Sequence, residues 1–516
     1  MQLCSEDREA VNCENRDRSF KGLRLLHPSH FPDSVETSLL KQDASLSGNL
    51  AIAQPPKTSN LSDTTLHLSD GRIALGSGSS RLLTLPELTK SAPLSTCRVS
   101  VIIPVRDEEQ NMSAVIKALA HQVDRMGDRL NPDLYEILVL ANNCTDRTVE
   151  VVEALSDRYS FLNIHVIDVV LPQAVACVGK ARQMVMDEAY RRFALVGLGD
   201  RIIASTDGDT EVVPDWIAEL IEAFDKGIDA LGGRILTRRA QQPEVSPEVS
   251  LYYLRRFAHA CFSSQIGCLL DPQVHDCWPR HSQFYGANMA VLAEMYGRVG
   301  GMPLVRDEED VALYRRLQQA DAKIRHSLAV RVQTSARQVG RATGGLAELL
   351  ATLSAGELPD AFVEAPVLTE ARVVMRRYLR QVWTVLQGES QADSEVGGFV
   401  VGDYAKAAEL LARSLGLPVG VLRSHIEDTA TFGELLSAIY LQQIERLESS
   451  LFEATTEISL ANMHLRQSLN RIQQRATASA EDLIAESAQI RIDSSSQVIL
   501  KALQQVQAIP LFPPAY

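Results

Sequence analysis

Residues 98–109 read RVSVIIPVRDEE. The first part of this stretch, Arg98–Pro104, is short, apolar and rich in β-branched residues, and the charged cluster Arg106–Glu109 follows it directly. Such a run is typical of a strand that is buried on both faces. We therefore predict a strand at Arg98–Pro104 whose carboxyl end opens onto a polar site.

Strands and helices alternate after this first strand. Further strands are predicted at Tyr135–Ala141, Ile164–Val170 and Ile202–Thr206, with helices at Asn111–Met126, Thr148–Arg158 and about Lys180–Arg192. This alternation predicts an α/β fold with a mostly parallel, Rossmann-like sheet and helices on both faces. Sheets of this kind bind ligands at the carboxyl ends of their strands, where the polar clusters of this chain also fall.

The flanking regions differ from this α/β segment. Residues 1–96 are rich in polar residues and proline, as in QPPKTSNLSDTTLHLSDG, and are predicted to form a disordered extension. Residues 97–342 are predicted to form the α/β domain and residues 343–435 an all-α region. Residues 436–516 are predicted to hold a long helix and a C-terminal tail.

The long helix is predicted from a heptad pattern in Tyr440–Ile472. Apolar residues there alternate at spacings of four and three over about four heptads. Such a helix pairs with another helix, either in a bundle of its own chain or as a coiled coil in a homodimer. Both alternatives are consistent with the sequence.

Composition excludes several classes of protein. The chain has 516 residues, of which 45% are hydrophobic and 22% charged, so it is not a wholly disordered, collagen-like or disulfide-scaffold protein. Its net charge of -14 argues against a nucleic-acid partner. Eight cysteines without framework spacing, no membrane-spanning apolar run and a charged N-terminus predict a cytoplasmic protein without a transmembrane segment.

A metal-binding motif is predicted at Asp207-Gly208-Asp209, directly after the fourth strand. Glycine permits a tight turn, so the two carboxylates can converge on one cation. Hard oxygen donors beside a diphosphate suit Mg²⁺ or Mn²⁺. The alternative is an Asp-Gly turn in which Asp209 or Thr210 caps a helix.

Six motifs occur in one order along the chain. They are VIIPVRDEE (101–109), LANNCTD (140–146), GKAR (179–182), DGD (207–209), GAN (286–288) and EED (308–310). Over roughly residues 98–340 this ordered set resembles a family 2 glycosyltransferase with the GT-A nucleotide-sugar-binding fold. No single motif is decisive, whereas the ordered set is specific.

The resemblance implies a binding site for a nucleotide-sugar donor. Its implied residues are Pro104, Arg106, Glu108, Asn142, Lys180, Asp207, Gly286 and Asn288, with Asp207 and Asp209 holding the metal. Lys180 and Arg182 would lie near the ribose or the diphosphate, and Gly286 would allow close approach to the donor sugar. Asn142 stands where the family usually has an acidic residue, and its amide can bond a uracil edge, so the nucleobase stays open.

The same resemblance implies catalysis by Asp310, with Glu309 beside it. Asp310 would take the proton of an acceptor hydroxyl, its basicity raised by burial and by the neighbouring acidic residues 307–309. Alternatively, these carboxylates favour a helix N-terminus through the macrodipole. Inverting and retaining transfer both fit the sequence, and a small polar acceptor such as a sugar acid is expected.

The chain departs from many relatives after the general-base helix, where residues 331–337 contain no histidine. The metal is therefore expected on the two aspartates, the diphosphate and water. Arg337 and Arg341 lie in a glycine-punctuated turn and are predicted to bind phosphate. Surface loops also collect arginine, which is the alternative interpretation.

Cysteine and histidine residues concentrate between His259 and His281, but their spacing is irregular and favours buried thiols and acceptor-loop histidines over structural zinc. Trp278 and Tyr285 are candidates either for stacking on a sugar ring or for the core.

Two other functions make different demands on the sequence. A nucleotidyltransferase would need a basic, glycine-rich turn where the acidic Arg106–Glu109 stands. A degenerate scaffold assembling through its C-terminal helix would lack the carboxylates that are present here.

Overall fold

The computed structural model describes residues 87–238, 246–305, 308–340, 346–355, 362–387, 404–447 and 455–486. The predicted disorder of residues 1–86 and the predicted phosphate-binding residue Arg341 lie outside these residues. Within the described parts of the chain, no helix combines the length and the apolar character needed to span a bilayer.

One large sheet organises the N-terminal half. Its strands are β1 (Val99–Val105), β2 (Tyr135–Asn142), β3 (Asn163–Val169), β4 (Ile202–Ser205), β5 (Thr210–Val212), β6 (Ala230–Thr237), β7 (Met289–Leu292) and β8 (Ile324–Thr334). The strand order is β3-β2-β1-β4-β7-β6-β8-β5. Strands β1 to β4 pair in parallel, β7 is antiparallel to β4 and β6, and β8 pairs in parallel with β6.

Helices cover both faces of this sheet. They are α1 (Met112–Ala120), α2 (Thr148–Arg158), α3 (Val178–Val196), α4 (Trp216–Phe224), α5 (Pro247–Leu270), α6 (Ala293–Arg298) and α7 (Glu309–Gln319). Alternate β1 side chains enter opposite cores. Val101 and Ile103 pack with α1 and α4, whereas Ile102 packs with α3 and α7. The predicted α/β architecture, a mostly parallel sheet with helices on both faces, is confirmed.

The segment before β1 corrects one sequence prediction. Residues 87–96, predicted as part of the disordered extension, lie against α3. The backbone N–H and hydroxyl of Thr89 donate to Glu188 at 3.1 and 2.5 Å, and Arg192 donates to Thr89 and to the carbonyl of Ser91. The buried carboxylate of Glu188 needs such partners, and the polar segment supplies them.

The C-terminal region is mainly helical, as predicted. It contains α8 (Leu346–Ser354), α9 (Pro366–Leu386), α10 (Tyr404–Ser414), α11 (Val419–Asp428), α12 (Phe432–Leu447) and α13 (Ile458–Glu486). Two short antiparallel strands, β9 (Phe362–Glu364) and β10 (Thr455–Glu457), add a ladder that was not predicted. Helices α9, α11 and α12 contribute to a separate hydrophobic core.

The prediction of one continuous helix over Tyr440–Ile472 is wrong, because strand β10 lies within that range. The Glu457 carboxylate accepts hydrogen bonds from the N–H groups of Ser459 and Leu460, which starts a new helix at Ile458. Leu465 and Leu469 then pack on Ile266 of α5. This half of the heptad pattern is used within the chain, and the homodimer remains a prediction.

Candidate functional site

Seven of the residues predicted from the sequence line one cavity of about 260 Å³ at the carboxyl ends of β1, β2 and β4. These residues are Pro104, Arg106, Glu108, Asn142, Asp207, Asp209 and Arg337. Parallel pairing of β1 with β2 and β4 brings their carboxyl ends to one edge of the sheet, which explains this convergence.

Arg182 joins the metal motif to the predicted catalytic helix. Its guanidinium, which is 3% exposed, contacts Asp207 Oδ1 and Glu309 Oε1 at 2.5 Å each. Burial opposes the charge of Arg182, but the two carboxylates outweigh it and raise its pKa. The sequence placed Arg182 near the diphosphate. The structure instead makes it the link between the β4 and α7 carboxylates.

The position of the Arg182 guanidinium requires a glycine at residue 286. A Cβ at residue 286 would overlap the Arg182 guanidinium, so only glycine lets the turn pass. The Gly286 carbonyl accepts a 2.7 Å hydrogen bond from Ser205 Oγ, which lies just before Asp207. The group that approaches Gly286 within the protein is the Arg182 guanidinium.

Asp209 forms a second ion-pair cluster with Arg337 and Glu108. Arg337 Nη2 lies 3.1 Å from Asp209 Oδ2, and Nη1 lies 2.8 Å from Glu108 Oε1. Burial and the nearby charge of Asp207 raise the pKa of Asp209, although Arg337 acts in the opposite direction. The predicted phosphate-binding Arg337 therefore lies against the predicted metal ligand.

Asp310 stands at the first turn of α7 and faces the Gly286 turn. Its Oδ2 accepts a 2.8 Å hydrogen bond from the Gly286 N–H, and its Oδ1 accepts one from Val311 N–H. Glu309, by contrast, is 4% exposed and is held by Arg182. Burial raises the pKa of Glu309, and the charge of Asp310 adds to this effect, whereas Arg182 lowers the pKa. Of this pair, Asp310 is the more accessible carboxylate.

Asn142 presents an unused acceptor to the cavity. The residue is 3% exposed, its Nδ2 donates to Cys177 O at 3.5 Å, and its buried Oδ1 has no hydrogen-bond partner among the described residues. A buried polar atom without a partner is costly, and a ligand that donates to it would remove that cost.

Two predicted donor-binding residues point elsewhere. Lys180 Nζ donates to Gln183 at 3.0 Å, and Lys180 is absent from the cavity lining. Asn288 is 1% exposed, and its amide bonds Trp216, Arg234 and Val330. Asn288 thus ties β7 to β6 and β8, because a buried amide must use its hydrogen-bonding groups within the protein. This corrects the donor-binding role predicted for its side chain.

The carboxylates of Asp207 and Asp209 fit a divalent cation. Both residues line the cavity, and Asp207 is 34% exposed at its side chain. Burial and then the charge of Asp207 raise the pKa of Asp209, and a cation bound between the two carboxylates would neutralise their charge. Hard oxygen donors of this kind suit Mg²⁺ or Mn²⁺.

A second group of ligand-type side chains has a structural explanation. Asp107, Cys144 and Asp146 place one ligand atom each within 4.8 Å of one another. However, Asp107 Oδ1 accepts hydrogen bonds from the N–H groups of Thr145 and Asp146, and Asp146 accepts from Glu109 and Thr148. These bonds fasten the loops after β1 and β2 to each other.

Several residues at the cavity were missed by sequence reasoning. They include Cys177 and Val178 at the start of α3, Thr334 at the end of β8, and Leu346 and Ala347 of α8. Thr334 could have been inferred only from the β5–β8 pairing that sets it opposite Thr210. The α8 residues carry no motif and reach the cavity through the path of the chain.

The segment rich in cysteine and histidine, His259–His281, is held by contacts within the protein. His281 contacts Ser327 O at 2.9 Å, while Asp276 contacts both His326 and Arg280. Tyr285 is 49% exposed and Trp278 is 42% exposed, so both lie at the surface rather than in the core.

Comparison with known proteins agrees with this geometry. The sequence model of the family described as Glycosyl transferase family 2 matches residues 100–282. Residues 100–282 are thus similar to a family 2 glycosyltransferase domain. This match favours the glycosyltransferase prediction over the nucleotidyltransferase alternative.

Two curated relatives match about a quarter of the chain. An undecaprenyl-phosphate 4-deoxy-4-formamido-L-arabinose transferase of Edwardsiella ictaluri is 27% identical over 139 residues, covering 26% of this chain and 36% of the relative. A dolichol-phosphate mannosyltransferase of Pyrococcus furiosus is 30% identical over 138 residues, covering 27% of this chain and 33% of the relative. The chain thus spans about a third of the length of each relative.

Among solved structures, S. aureus TarS 1–349 in complex with UDP is 14% identical to this chain. The comparison covers 69% of this chain and 93% of that one, with a TM-score of 0.32.

Proposed function

We propose that this protein is a metal-dependent glycosyltransferase that moves a sugar from a nucleotide-diphosphate sugar to an acceptor hydroxyl. One observation carries the proposal. Asp207 and Asp310 belong to one hydrogen-bonded rim, in which the Gly286 N–H donates to Asp310, Ser205 donates to Gly286 O, and Arg182 contacts both Ser205 and Asp207. Asp209 lines the same cavity as Asp207. The family 2 match over residues 100–282 supports it.

The cavity residues suit the nucleotide part of the donor. Pro104, Glu108 and Asn142 would surround the base and ribose, and the free Oδ1 of Asn142 would accept the N3–H of a uracil ring. Arg337, released from Asp209, would bind a diphosphate oxygen, as a guanidinium does well. Arg106, 48% exposed at the same cavity, would contribute positive charge.

The metal would be held by Asp207 and Asp209. Mg²⁺ or Mn²⁺ bound there would supply charge neutralisation for the diphosphate leaving group. Arg182 keeps Asp207 in place by pairing with its Oδ1, while Glu309 holds Arg182 from the other side. These fixed charges orient the site before the donor arrives.

Asp310 would act as the general base. The acceptor oxygen forms a bond to the anomeric carbon of the donor, the bond from that carbon to the diphosphate breaks, and the diphosphate departs with the electron pair. The hydroxyl proton goes to a carboxylate oxygen of Asp310. The Gly286 N–H orients this carboxylate, since it donates to Oδ2. In this scheme Glu309 positions Arg182 and takes no proton.

Replacing Asp310 tests the assignment. Asp310→Asn keeps the shape and the Gly286 contact, so donor binding should persist while nucleoside diphosphate release in the presence of acceptors falls about 10²–10⁴-fold. Donor binding is measured by calorimetry with UDP-glucose, UDP-N-acetylglucosamine and GDP-mannose, each with Mn²⁺.

Asp157→Asn is the matched control, since Asp157 is an exposed residue of α2. It should leave both quantities unchanged. Near-normal turnover of Asp310→Asn would remove Asp310 as the base. Equal donor affinity with Mn²⁺ and with a chelator would remove the metal role of Asp207 and Asp209.

A further inference from the structure

Strands β6 and β8 place two arginines directly opposite each other. The pairing runs from Gly233 with Ser327 to Arg234 with Arg331, so a bulge absorbs residues 328–330 of β8. Val330 and Val332, which flank Arg331, belong to the core on one side of the sheet, and Ile235 packs against the same core. Arg234 and Arg331 therefore both project from the opposite face.

The two charges are not neutralised by the described part of the chain. No carboxylate there lies within salt-bridge distance of either guanidinium, whereas Arg182, Arg238 and Arg337 each contact at least one. The Nε atom of Arg331 is buried, and none of the residues that the structure describes accepts a hydrogen bond from it. Like charges directly opposite on neighbouring strands are destabilising, and a buried donor without an acceptor adds to the cost.

Aromatic and neutral groups surround the arginine pair. The Arg234 guanidinium lies 5.3 Å from the centre of the Phe257 ring of α5. Burial, together with nearby cations that include Arg234, lowers the pKa of His281 to about 4, so this histidine is neutral at physiological pH. The surroundings of Arg234 and Arg331 among the described residues thus leave a net positive charge that an anion would neutralise.

The arginine pair is joined to the proposed general base by the Gly286 turn. Asn288 Nδ2 donates to Arg234 O at 3.2 Å and to Val330 O at 3.1 Å, directly before Arg331. At the other end of the turn, Gly286 N–H donates to Asp310. Tyr285, the residue before Gly286, is 49% exposed, and burial and the charge of Asp310 raise its pKa. One short turn therefore contacts both the strands that carry the arginines and the carboxylate of Asp310.

We propose that Arg234 and Arg331 bind a phosphate group of the acceptor. The inference rests on the proposed function, because it assigns the acceptor class of that same site. Two guanidinium groups present enough N–H donors to bond a phosphate monoester on several oxygens. The phosphate belongs either to a small soluble hydroxy compound or to a lipid headgroup.

Phosphate binding by the full-length protein tests the site. Calorimetry with inorganic phosphate and with glycerol phosphate should show binding that Arg234→Gln and Arg331→Gln each weaken at least tenfold. Arg298→Gln, which removes an exposed arginine of α6, is the matched control and should bind as the wild type does. Arg337→Gln reports any phosphate bound at the donor site, which separates that site from the arginine pair. Loss of binding in Arg337→Gln with retention in Arg234→Gln would overturn the proposal.

Stability gives a readout that a structural role would not produce. Because the paired charges oppose each other, Arg234→Gln and Arg331→Gln should raise the melting temperature in phosphate-free buffer while weakening phosphate binding. Lower melting temperatures in both variants, without any change in phosphate affinity, would show two structural arginines and refute the site. Neither result depends on donor binding, so failure of the proposed function is recognised separately.

Vesicles distinguish the two sources of phosphate. Sedimentation is measured with phosphatidylcholine vesicles that contain or lack phosphatidic acid. Arginine-dependent binding to glycerol phosphate without sedimentation supports a soluble acceptor, and arginine-dependent sedimentation supports a lipid headgroup. If neither probe binds in a manner that depends on Arg234 and Arg331, the proposal fails.

Discussion

Arg182 depends on a glycine more than a hundred residues away, because only residue 286 without a Cβ leaves room for its guanidinium. We predict that Gly286→Ala displaces Arg182 from Asp207 and Glu309, lowers the stability of the fold by about 1–3 kcal/mol and weakens nucleotide binding. Urea unfolding and nucleotide calorimetry measure the two effects. Gly420→Ala is the control, since no atom lies within 4 Å of its added Cβ. Equal stability of the two variants would contradict this account.

The raised pKa of Asp209 predicts that the stability of the fold depends on pH. Its pKa is raised above 3.8 by burial and by Asp207, so ionising it costs stability in the folded state. Below the unfolded value both states are protonated and the cost is absent. The cost grows as the pH rises from the unfolded value to the raised pKa, and it stays constant at higher pH. Asp209→Asn should therefore melt higher than the wild type at pH 7, and the difference should shrink toward pH 4. A difference that is independent of pH would contradict the raised pKa.

The sequence predicted which residue types meet at the cavity, but not how they pair. Asp207 and Asp209 were recognised because they directly follow a strand, and Asp310 because the ordered motifs resemble a family 2 glycosyltransferase. That Arg337 contacts Asp209, or that Asn288 is buried against Trp216, depends on packing between distant segments. Local spacing carries no information on such contacts, so these assignments needed the structure.

At the scale of elements, prediction succeeded where hydrophobic periodicity was strong. Helix α2 was predicted with its observed bounds, Thr148–Arg158, and β1 and β2 within one residue. The bulge in β8 (Ile324–Thr334) could not be predicted, because it depends on the register with β6 and not on the local sequence. That bulge sets Arg331 opposite Arg234, so the arginine pair is invisible in the sequence.

Truncating a buried side chain of helix α13 should lower the stability of the fold without changing the mass of the protein in solution. Leu465 is fully buried against α5, so Leu465→Ala should destabilise the chain by about 2–5 kcal/mol through the lost packing. Leu460→Ala, at a position that is 42% exposed on the same helix, should cost much less. Denaturant unfolding and light scattering check both points. A variant whose mass falls by half, with little loss of stability, would instead support the homodimer.

At the scale of the whole molecule, the sheet domain and the C-terminal helices are joined at the end of α7. Asp321 accepts hydrogen bonds from the N–H groups of Phe432 and Gly433 at 2.7 and 2.8 Å, which caps α12. The backbone at Gly433 lies so close to Gln318 O that an added Cβ would overlap it. The core of α9, α11 and α12 is thus fastened to the helix that begins with Glu309 and Asp310.

This junction predicts that nucleotide binding stabilises both parts together. With UDP and Mn²⁺, scanning calorimetry of the wild type should show one transition that moves to higher temperature by mass action. Gly433→Ala separates α12 from α7, so a second transition should appear that does not respond to nucleotide. Gly420→Ala, in α11, should keep the single transition because its Cβ meets no neighbour. If Gly433→Ala also retains one nucleotide-responsive transition, the two cores are coupled by contacts other than this one.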